Sequence, residues 1–490
     1  MAAGTLVSLD MTIANVALPH MQATFAAGPE EIVWVLTSYL VATAIAMPLG
    51  GWLATRFGRK RTMLAATLGF TIASFACGAA NSLGFMVFAR LAQGFFGAGL
   101  IPLAQATLVD INPPERTARA MALFGVGTMV GPLFGPTIGG WLTDSFTWRW
   151  VFFINVPVGL IALTGLWFSE AEHHRTVAQR FDMFGFITLS LAIGALQLVL
   201  DRGQQLDWFS STEICIEAGV AVVALWIAVV HMLTTSAPFI TPSLFKDRNL
   251  TLGLVLSAAM GLVSFAIMPI IVVMQQQLLG WSPLFSGIVG FPRGAGMIIS
   301  LILVGRMVPI IGPRVSLASG LAVVSWSLFL QADIDLSVDA RTMAIYGFVQ
   351  GFGTGLIFVP LSVIVFATLP PALRTEGAVM YSFTRNIGSS IGVSMLQTQL
   401  IQRMAAARSG LVEHVRPDAP LVQWRLPDLD FGVTADLARI SGMVMRQASM
   451  LAYVSLYQFV GWLLIVMIPL LFLLRPPAPR PAAEPLPIVD

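Results

Sequence analysis

Four ionisable side chains fall well inside long apolar runs: Asp10, Arg90, Arg293 and Arg385. At mid-bilayer depth such a group costs about 2.5–3.5 kcal/mol on insertion scales, and it reads by default as functional. Asp10 is the one carboxylate among them. Desolvation pushes a carboxylate towards its neutral acid, and a nearby cation pulls it back. An acid whose hydration and counter-ion change between two conformations therefore binds a proton in one and releases it in the other. Asp10 is accordingly the candidate proton carrier and Arg90 its candidate regulator; the alternative is a permanent structural ion pair. Asn15, Gln93 and Gln350, with Arg293 and Arg385, are candidates to line a substrate cavity, although polar contacts between helices explain the amides as well.

These residues need helices that can hold them and also move. The stretch Gly127–Gly140, GTMVGPLFGPTIGG, spaces Gly127, Gly131, Gly135 and Gly139 every four residues, one bare stripe on a helix, with Gly140 beside it. Such a stripe lets a second backbone approach closely, which is how helices pack in lipid. Pro132 and Pro136 lie within it, and each removes an N–H and loosens the preceding turn. The combination predicts a membrane helix that bends or rocks, rather than a purely structural one.

Composition sets the frame. The chain has 490 residues, 56% hydrophobic and 11% charged, with a mean hydropathy of +0.81. Too little charge remains to cover a soluble surface of this size, so the fold class is an all-α polytopic membrane protein. A net charge of +2 gives no argument for nucleic acid. Cys77 and Cys215 offer neither a disulfide framework nor a metal spacing, and no cofactor is implied. Apolar runs long enough to span predict fourteen helices, the first over 1–18. Lys and Arg crowd alternate loops (Arg56, Arg59, Lys60, Arg61, Arg116, Arg119), which puts both termini in the cytoplasm.

Internal repetition organises the chain. Gly51–Lys60 (GWLATRFGRK) recurs as Gly305–Arg314 (GRMVPIIGPR) at an offset of 254. Gln93-Gly94-Phe95 recurs as Gln350-Gly351-Phe352 at 257, and Gly131 and Gly135 map onto Gly388 and Gly392 at the same offset. The nearby Arg116-Thr117 echoes Arg374-Thr375. The reading is two six-helix halves, 1–168 and 250–474, with two extra helices and linkers in 169–249, a long outer loop about 401–450 and a disordered tail 475–490. Two repeated bundles facing each other are the build of a secondary transporter. The turns at Gly51, Gly58 and Arg59, and at Gly305, Gly312 and Arg314, read as paired cytoplasmic gates. The repeat equivalents of Asp10 and Arg90 are Ser264 and Gly347, so proton chemistry is expected in the first half and more of the substrate wall in the second.

From Leu9 to about Arg475 the chain resembles the major facilitator superfamily, and within it the fourteen-helix drug/proton antiporters of the EmrB type. LDMTIANVALP (Leu9–Pro19) is similar to that family's first-helix signature. GWLATRFGRK is similar to its loop motif, RLAQGFFGAG to its fourth-helix motif and Gly127–Gly140 to its antiporter motif. WRWVFFINVPVG and LDRGQQLDWFSS resemble the EmrB group in particular. The resemblance implies the major facilitator fold and proton-driven multidrug efflux across a bacterial inner membrane. It implies hydrophobic or cationic drugs and protons as partners, with a periplasmic membrane-fusion adaptor and an outer-membrane channel, the loop 401–450 being the place for adaptor contact. Thr55 stands where the loop motif usually has an acid, so the charge latch attributed to that acid must be missing or carried by Arg59 and the glycines. Only nine residues precede Asp10, fewer than the resemblance implies.

An intramembrane enzyme would need a nucleophile–base pair or paired acids at membrane depth, and a channel a ring of like charges; the sequence offers neither. The remaining alternative is a proton-linked exporter of one endogenous metabolite, lipid or siderophore, or an uptake symporter.

Overall fold

The structure is a computed structural model that describes residues 2–168, 181–415 and 433–474. The irregular portion expected at 416–431 and the tail 475–490 lie outside the described residues. The described chain folds as α1 (Ala2–Phe25), α2 (Trp34–Phe57), α3 (Arg59–Gly78), α4 (Leu83–Gly97), α5 (Leu100–Ile111), α6 (Pro114–Ser145) and α7 (Asn155–Phe168, entered through a turn at Trp150–Phe153). Then come α8 (Met183–Arg202), α9 (Thr212–Thr234), α10 (Arg248–Val273), α11 (Pro283–Ile311), α12 (Pro313–Gln331), α13 (Ala340–Ala367), α14 (Arg374–His414) and α15 (Thr434–Met467).

Eleven helices among the described residues are long and apolar enough to cross a membrane, or twelve when the bent first helix counts as one span. Two further helices in the positions of expected spans, α3 and α14, do not meet that measure. The first helix outruns its expected end at residue 18 and reaches Phe25, with a 60° bend between Ala2–Asn15 and Ala17–Phe25. Pro19 explains the place: its ring removes the N–H that would bond the Asn15 carbonyl and crowds that carbonyl. Much of 401–450, expected as loop, is helix, since α14 runs to His414 and α15 starts at Thr434. α6 continues unbroken through the positions of Pro132 and Pro136, whose side chains lie outside what is described.

Packing follows the repeat. α1 lies along α6, α4 between α2 and α3, and α7 against α3; in the same order α10 lies along α14, α13 between α11 and α12, and α15 against α12. Small residues permit each crossing. A methyl group at Gly94 would meet the Tyr39 carbonyl on α2, and one at Gly351 would meet the Arg293 carbonyl on α11. The two copies of Gln-Gly-Phe thus seat equivalent helix pairs backbone to backbone. Between the first six helices and the last six, α6 packs along α11, while α2 and α5 pack on α14.

α8 and α9 pair with each other, and α8 leans on α2. Asp182 caps α8 through the Gly185 N–H at 2.9 Å and also takes His231 Nε2 at 2.9 Å and the Phe239 N–H at 3.1 Å. Burial alone would raise that carboxyl, but the hydrogen bonds outweigh it and hold the group below its ordinary range. Asp201 accepts from Gln197 at 3.2 Å and keeps its other oxygen buried. Gln275 is 3% exposed and sits in a π-helical turn, Met274–Leu278.

Candidate functional site: a buried carboxylate cluster beside a glycine seam

α1 is held on α6 by its own hydroxyls. Thr5, Ser8 and Thr12 donate to the carbonyls of Gly127 (2.9 Å), Thr128 (2.8 Å) and Gly131 (3.0 Å). The glycine stripe makes this possible. A methyl group at Gly131 would lie 2.5 Å from the Ser8 oxygen and the Leu9 nitrogen, and one at Gly135 would lie 2.9 Å from the Thr12 Cβ. The far end of the expected hinge motif behaves differently. Gly139 is buried, but its carbonyl accepts the Thr143 hydroxyl of its own helix at 2.7 Å, where those of Gly127 and Gly131 accept from α1. Stepping by four from the Gly131–Ser8 and Gly135–Thr12 approaches brings Gly139 level with residue 16, where α1 turns through its 60° bend. Gly140 stands apart from the seam and meets nothing within 4 Å. The stripe recurs on α14, where a methyl at Gly388 would lie 2.5 Å from the Ala258 carbonyl carbon on α10.

The seam leaves Asp10 on the opposite face of α1, 1% exposed, against α4, α3 and α7. Arg90 Nη1 donates to its Oδ2 at 2.8 Å, while Gln93 Nε2 and Asn155 Nδ2 donate to its Oδ1 at 2.8 Å and 2.7 Å. Arg90 is fixed in turn: Nη1 also donates to Gln93 Oε1 at 2.7 Å, Nε to the Val35 carbonyl at 3.0 Å, and the guanidinium carbon sits 4.3 Å from the centre of the Tyr39 ring. Asn155 donates a second bond to Ser74 Oγ at 3.0 Å, and Ser74 donates to the Phe152 carbonyl at 2.9 Å. Every group bonded to the carboxylate is a donor, which is the set that an ionised, acceptor-only Asp10 requires.

A second charged cluster joins the two sets of helices at the end carrying Arg59. Arg59 pairs with Asp110 at the end of α5 and donates through Nε to Thr375 Oγ1 on α14 at 2.9 Å. Arg374 Nη1 donates to the other oxygen of Asp110 at 2.8 Å, and Ser382 donates to Gln105 Oε1 at 3.3 Å. Gly51 faces Val379, where a methyl would stand 3.1 Å from a Val379 methyl, and Gly305 faces Ala122 on α6, where it would stand 3.2 Å from the Ala122 Cβ. Gly58 and Gly312 hold φ of 90° and 81°, values glycine reaches without steric cost, and so turn α2 into α3 and α11 into α12. Thr55 bonds back to the Trp52 carbonyl at 2.8 Å and takes no part.

The two sets of helices are therefore joined by charge without an acid at residue 55; Asp110 supplies the carboxylate, a residue the sequence reading passed over. Its signal was present in the Arg374-Thr375 echo, which marks the cation and hydroxyl that meet it. Arg314, expected as the second gate cation, keeps Nε buried with no partner among the described residues and joins no such cluster. Reversing Arg59 to Glu places two carboxylates together and removes the bond to Thr375. A cysteine introduced at Val379, 2% exposed in the wild type, is expected to label several-fold faster in that variant; unchanged labelling would refute the latch.

The cavity candidates scatter. Gln93 belongs to the Asp10 cluster. Asn15 is exposed and bonds its own helix at the Met11 carbonyl, 3.3 Å away. Gln350 is 1% exposed and its Oε1 has no partner among the described residues. Arg385 lies with its guanidinium carbon 5.8 Å and 5.9 Å from the ring centres of Phe358 and Tyr381. Arg293 stands where α11 crosses α13 at Gly351. Asn155 and Ser74, both part of the cluster, were not singled out from the sequence.

A repeated helical bundle, with a charged cluster buried in one set of helices and ion pairs joining it to the other, is the build of a multi-pass membrane transporter. The Major Facilitator Superfamily model matches residues 1–393. The chain is 33% identical over 474 residues to the multidrug export protein EmrB of Escherichia coli (strain K12), covering 96% of this chain and 93% of the other. It is 32% identical over 474 residues, with the same coverage, to the fatty acid resistance protein FarB of Neisseria gonorrhoeae. Among solved structures, the human organic anion transporter MFSD10 superposes with a TM-score of 0.58 at 15% identity, over 94% of this chain and 97% of that one, which speaks for the fold alone. The chain belongs to the Major Facilitator Superfamily and, within it, to the EmrB-type exporters.

Proposed function

We propose that this protein exports hydrophobic or cationic drugs in exchange for protons, by alternating access across the inner membrane of a bacterium. The observation that carries the reading is the Asp10–Arg90 pair, 2.8 Å apart and 1% exposed on both sides, on a helix seated against the glycine seam. Asp10 is the proton carrier in this reading and Arg90 the cation that favours its release. The helix α1 slides or tilts on α6 between a dry state, in which the carboxylate is met by its donors, and a wetted state in which it takes a proton.

The same reading counts α3 and α14 as spans, which with α1, the pieces α4 and α5 joined as one, and the others makes fourteen. It sets both termini in the cytoplasm by the distribution of Lys and Arg. The Arg59–Asp110–Arg374 latch then closes the cytoplasmic side. Residues 1–168 and 250–474 act as the two rocking units, with 169–249 as an accessory pair. A relative named for fatty acid resistance keeps amphipathic, lipid-like molecules among the substrates to be tried. The periplasmic adaptor and outer-membrane channel rest on the resemblance alone, and the helical arms α14 and α15 flanking residues 416–432 are where contact would be sought.

The direct test is dye transport by reconstituted vesicles under an imposed pH gradient. Ethidium should accumulate against its own gradient while the pH gradient stands and stop doing so when nigericin collapses it. Transport that is indifferent to the gradient would overturn the proton-coupled reading.

A further inference from the structure

Among the described side chains that hydrogen-bond to Asp10, one atom has nothing to do; the buried Tyr39 hydroxyl is also unpartnered, but Tyr39 makes no hydrogen bond to Asp10. Asn155 Oδ1 is buried and has no hydrogen-bond partner among the described residues, although the same amide donates twice through Nδ2. A buried carbonyl-type oxygen without a partner costs about 1–3 kcal/mol and calls for an explanation. The surroundings supply one. If Asp10 takes a proton, its new O–H needs an acceptor. Arg90 has none to offer, and Gln93 Oε1 already receives Arg90 Nη1 at 2.7 Å and the Cys77 thiol at 3.5 Å. Among the described residues, Asn155 alone hydrogen-bonds to Asp10 and holds an idle acceptor.

We propose that Asn155 reads the protonation state of Asp10 by turning its amide over. With Asp10 ionised, Nδ2 donates to the carboxylate, as seen. With Asp10 protonated, the side chain rotates by about half a turn, and Oδ1 accepts the Asp10 hydroxyl. Ser74 can no longer receive from Nδ2, so its O–H leaves the Phe152 carbonyl and donates to Oδ1 instead. The proton on Asp10 stays on Asp10 throughout; the Asn155–Asp10 and Asn155–Ser74 bonds reverse direction, and the Ser74–Phe152 bond is given up. Asn155 is the first residue of α7, directly after the break at Ile154, so the reversal frees a carbonyl on the turn that enters α7. A proton on α1 is thereby registered on α3 and at the start of α7, three helices that must move together if the first half tilts as a unit.

The other groups facing Asp10 do not duplicate this role. Arg90 from α4 is a permanent donor, and Tyr39 from α2 lies under the guanidinium. Cys77 from α3 is occupied with Gln93. From α6, the described side chains nearest the seam are glycines and Thr128, none of them titratable.

The inference rests on Asp10 being the proton site, and the test separates the two. Infrared difference spectra between pH 5 and pH 9 are recorded on the purified full chain, with and without isotope-labelled asparagine, for the wild type, Asp10→Asn and Asn155→Leu. Leucine matches the shape of asparagine without its donor or acceptor; Asn155→Ser replaces it if the leucine variant is not monodisperse. The expected result is a protonated-carboxyl band lost in Asp10→Asn, together with an asparagine amide band that shifts with pH and disappears in both variants. A carboxyl band that responds as expected beside a pH-independent Asn155 amide band overturns the amide switch and leaves the proton site standing. A carboxyl band that survives in Asp10→Asn overturns the proton site itself. In ethidium transport, Asn155→Leu is expected to lose roughly tenfold in gradient-driven rate, the equivalent of one buried group left unpartnered, with ethidium binding unchanged.

Discussion

Asp10→Asn should reduce gradient-driven efflux to the level of empty vesicles while leaving the binding of a probe drug within about twofold of wild type. The amide keeps the size of the carboxylate and can still accept from Gln93 or Arg90, so the cluster retains its packing. What it loses is the charge that alternates. Without it Arg90 is a buried cation with no counter-ion; breaking such a pair from one side typically costs about 3–5 kcal/mol, and part of that will appear as a lower melting temperature. Arg90→Ala attacks the same pair from the other side, leaving a buried carboxylate that relieves itself by holding its proton. It should therefore bind drug and fail to release protons on binding. A protonated-carboxyl infrared band near neutral pH, absent in Asp10→Asn and present in Arg90→Ala, separates the two variants. Normal uphill transport by Asp10→Asn would end the mechanism.

The sequence exposed the asymmetry behind this prediction but not its geometry. The offset of 257 places Gly347 opposite Arg90, and in the structure the space of that missing side chain borders Arg293, whose Cβ lies 3.6 Å from where a Gly347 methyl would be. Arg293 is itself the equivalent, at 254, of Tyr39. The second half thus carries its cation on α11, where the first half carries an aromatic ring on α2 beneath Arg90. Repetition could be read because glycine spacing and short motifs survive along one helix. Asn155 could not, since its partner is 145 residues away; its segment WRWVFFINVPVG was legible as a family likeness, which does not say what the amide meets. Asp110 was hidden for a related reason: Arg59 is 51 residues off and Arg374 264. The bend in α1 was legible in principle from Pro19, but a reading that ended the helix at residue 18 left it no helix to bend.

Gly131→Val should be the most damaging change outside the charged cluster, and its comparison with Gly140→Val isolates the seam. Both glycines belong to one sequence motif and to one helix, and replacing glycine by valine changes helix propensity alike at each. Their surroundings differ completely. At Gly131 even a first methyl falls 2.5 Å from the backbone of Ser8 and Leu9, which cannot swing aside as a side chain would; at Gly140 nothing lies within 4 Å. To admit valine, α1 must lift off α6, stretching the bonds from Thr5, Ser8 and Thr12 and displacing Asp10, two residues beyond Ser8, from its donors. Overpacking of this kind costs about 1–3 kcal/mol where neighbours can yield, and backbone yields least. Gly131→Val is therefore expected to melt well below the wild type and to lose gradient-driven transport by more than tenfold, with Gly140→Val close to wild type in both. A variant that melts normally yet fails to transport would show the seam to be a sliding surface; equal behaviour of the two valines would remove the seam from the mechanism altogether.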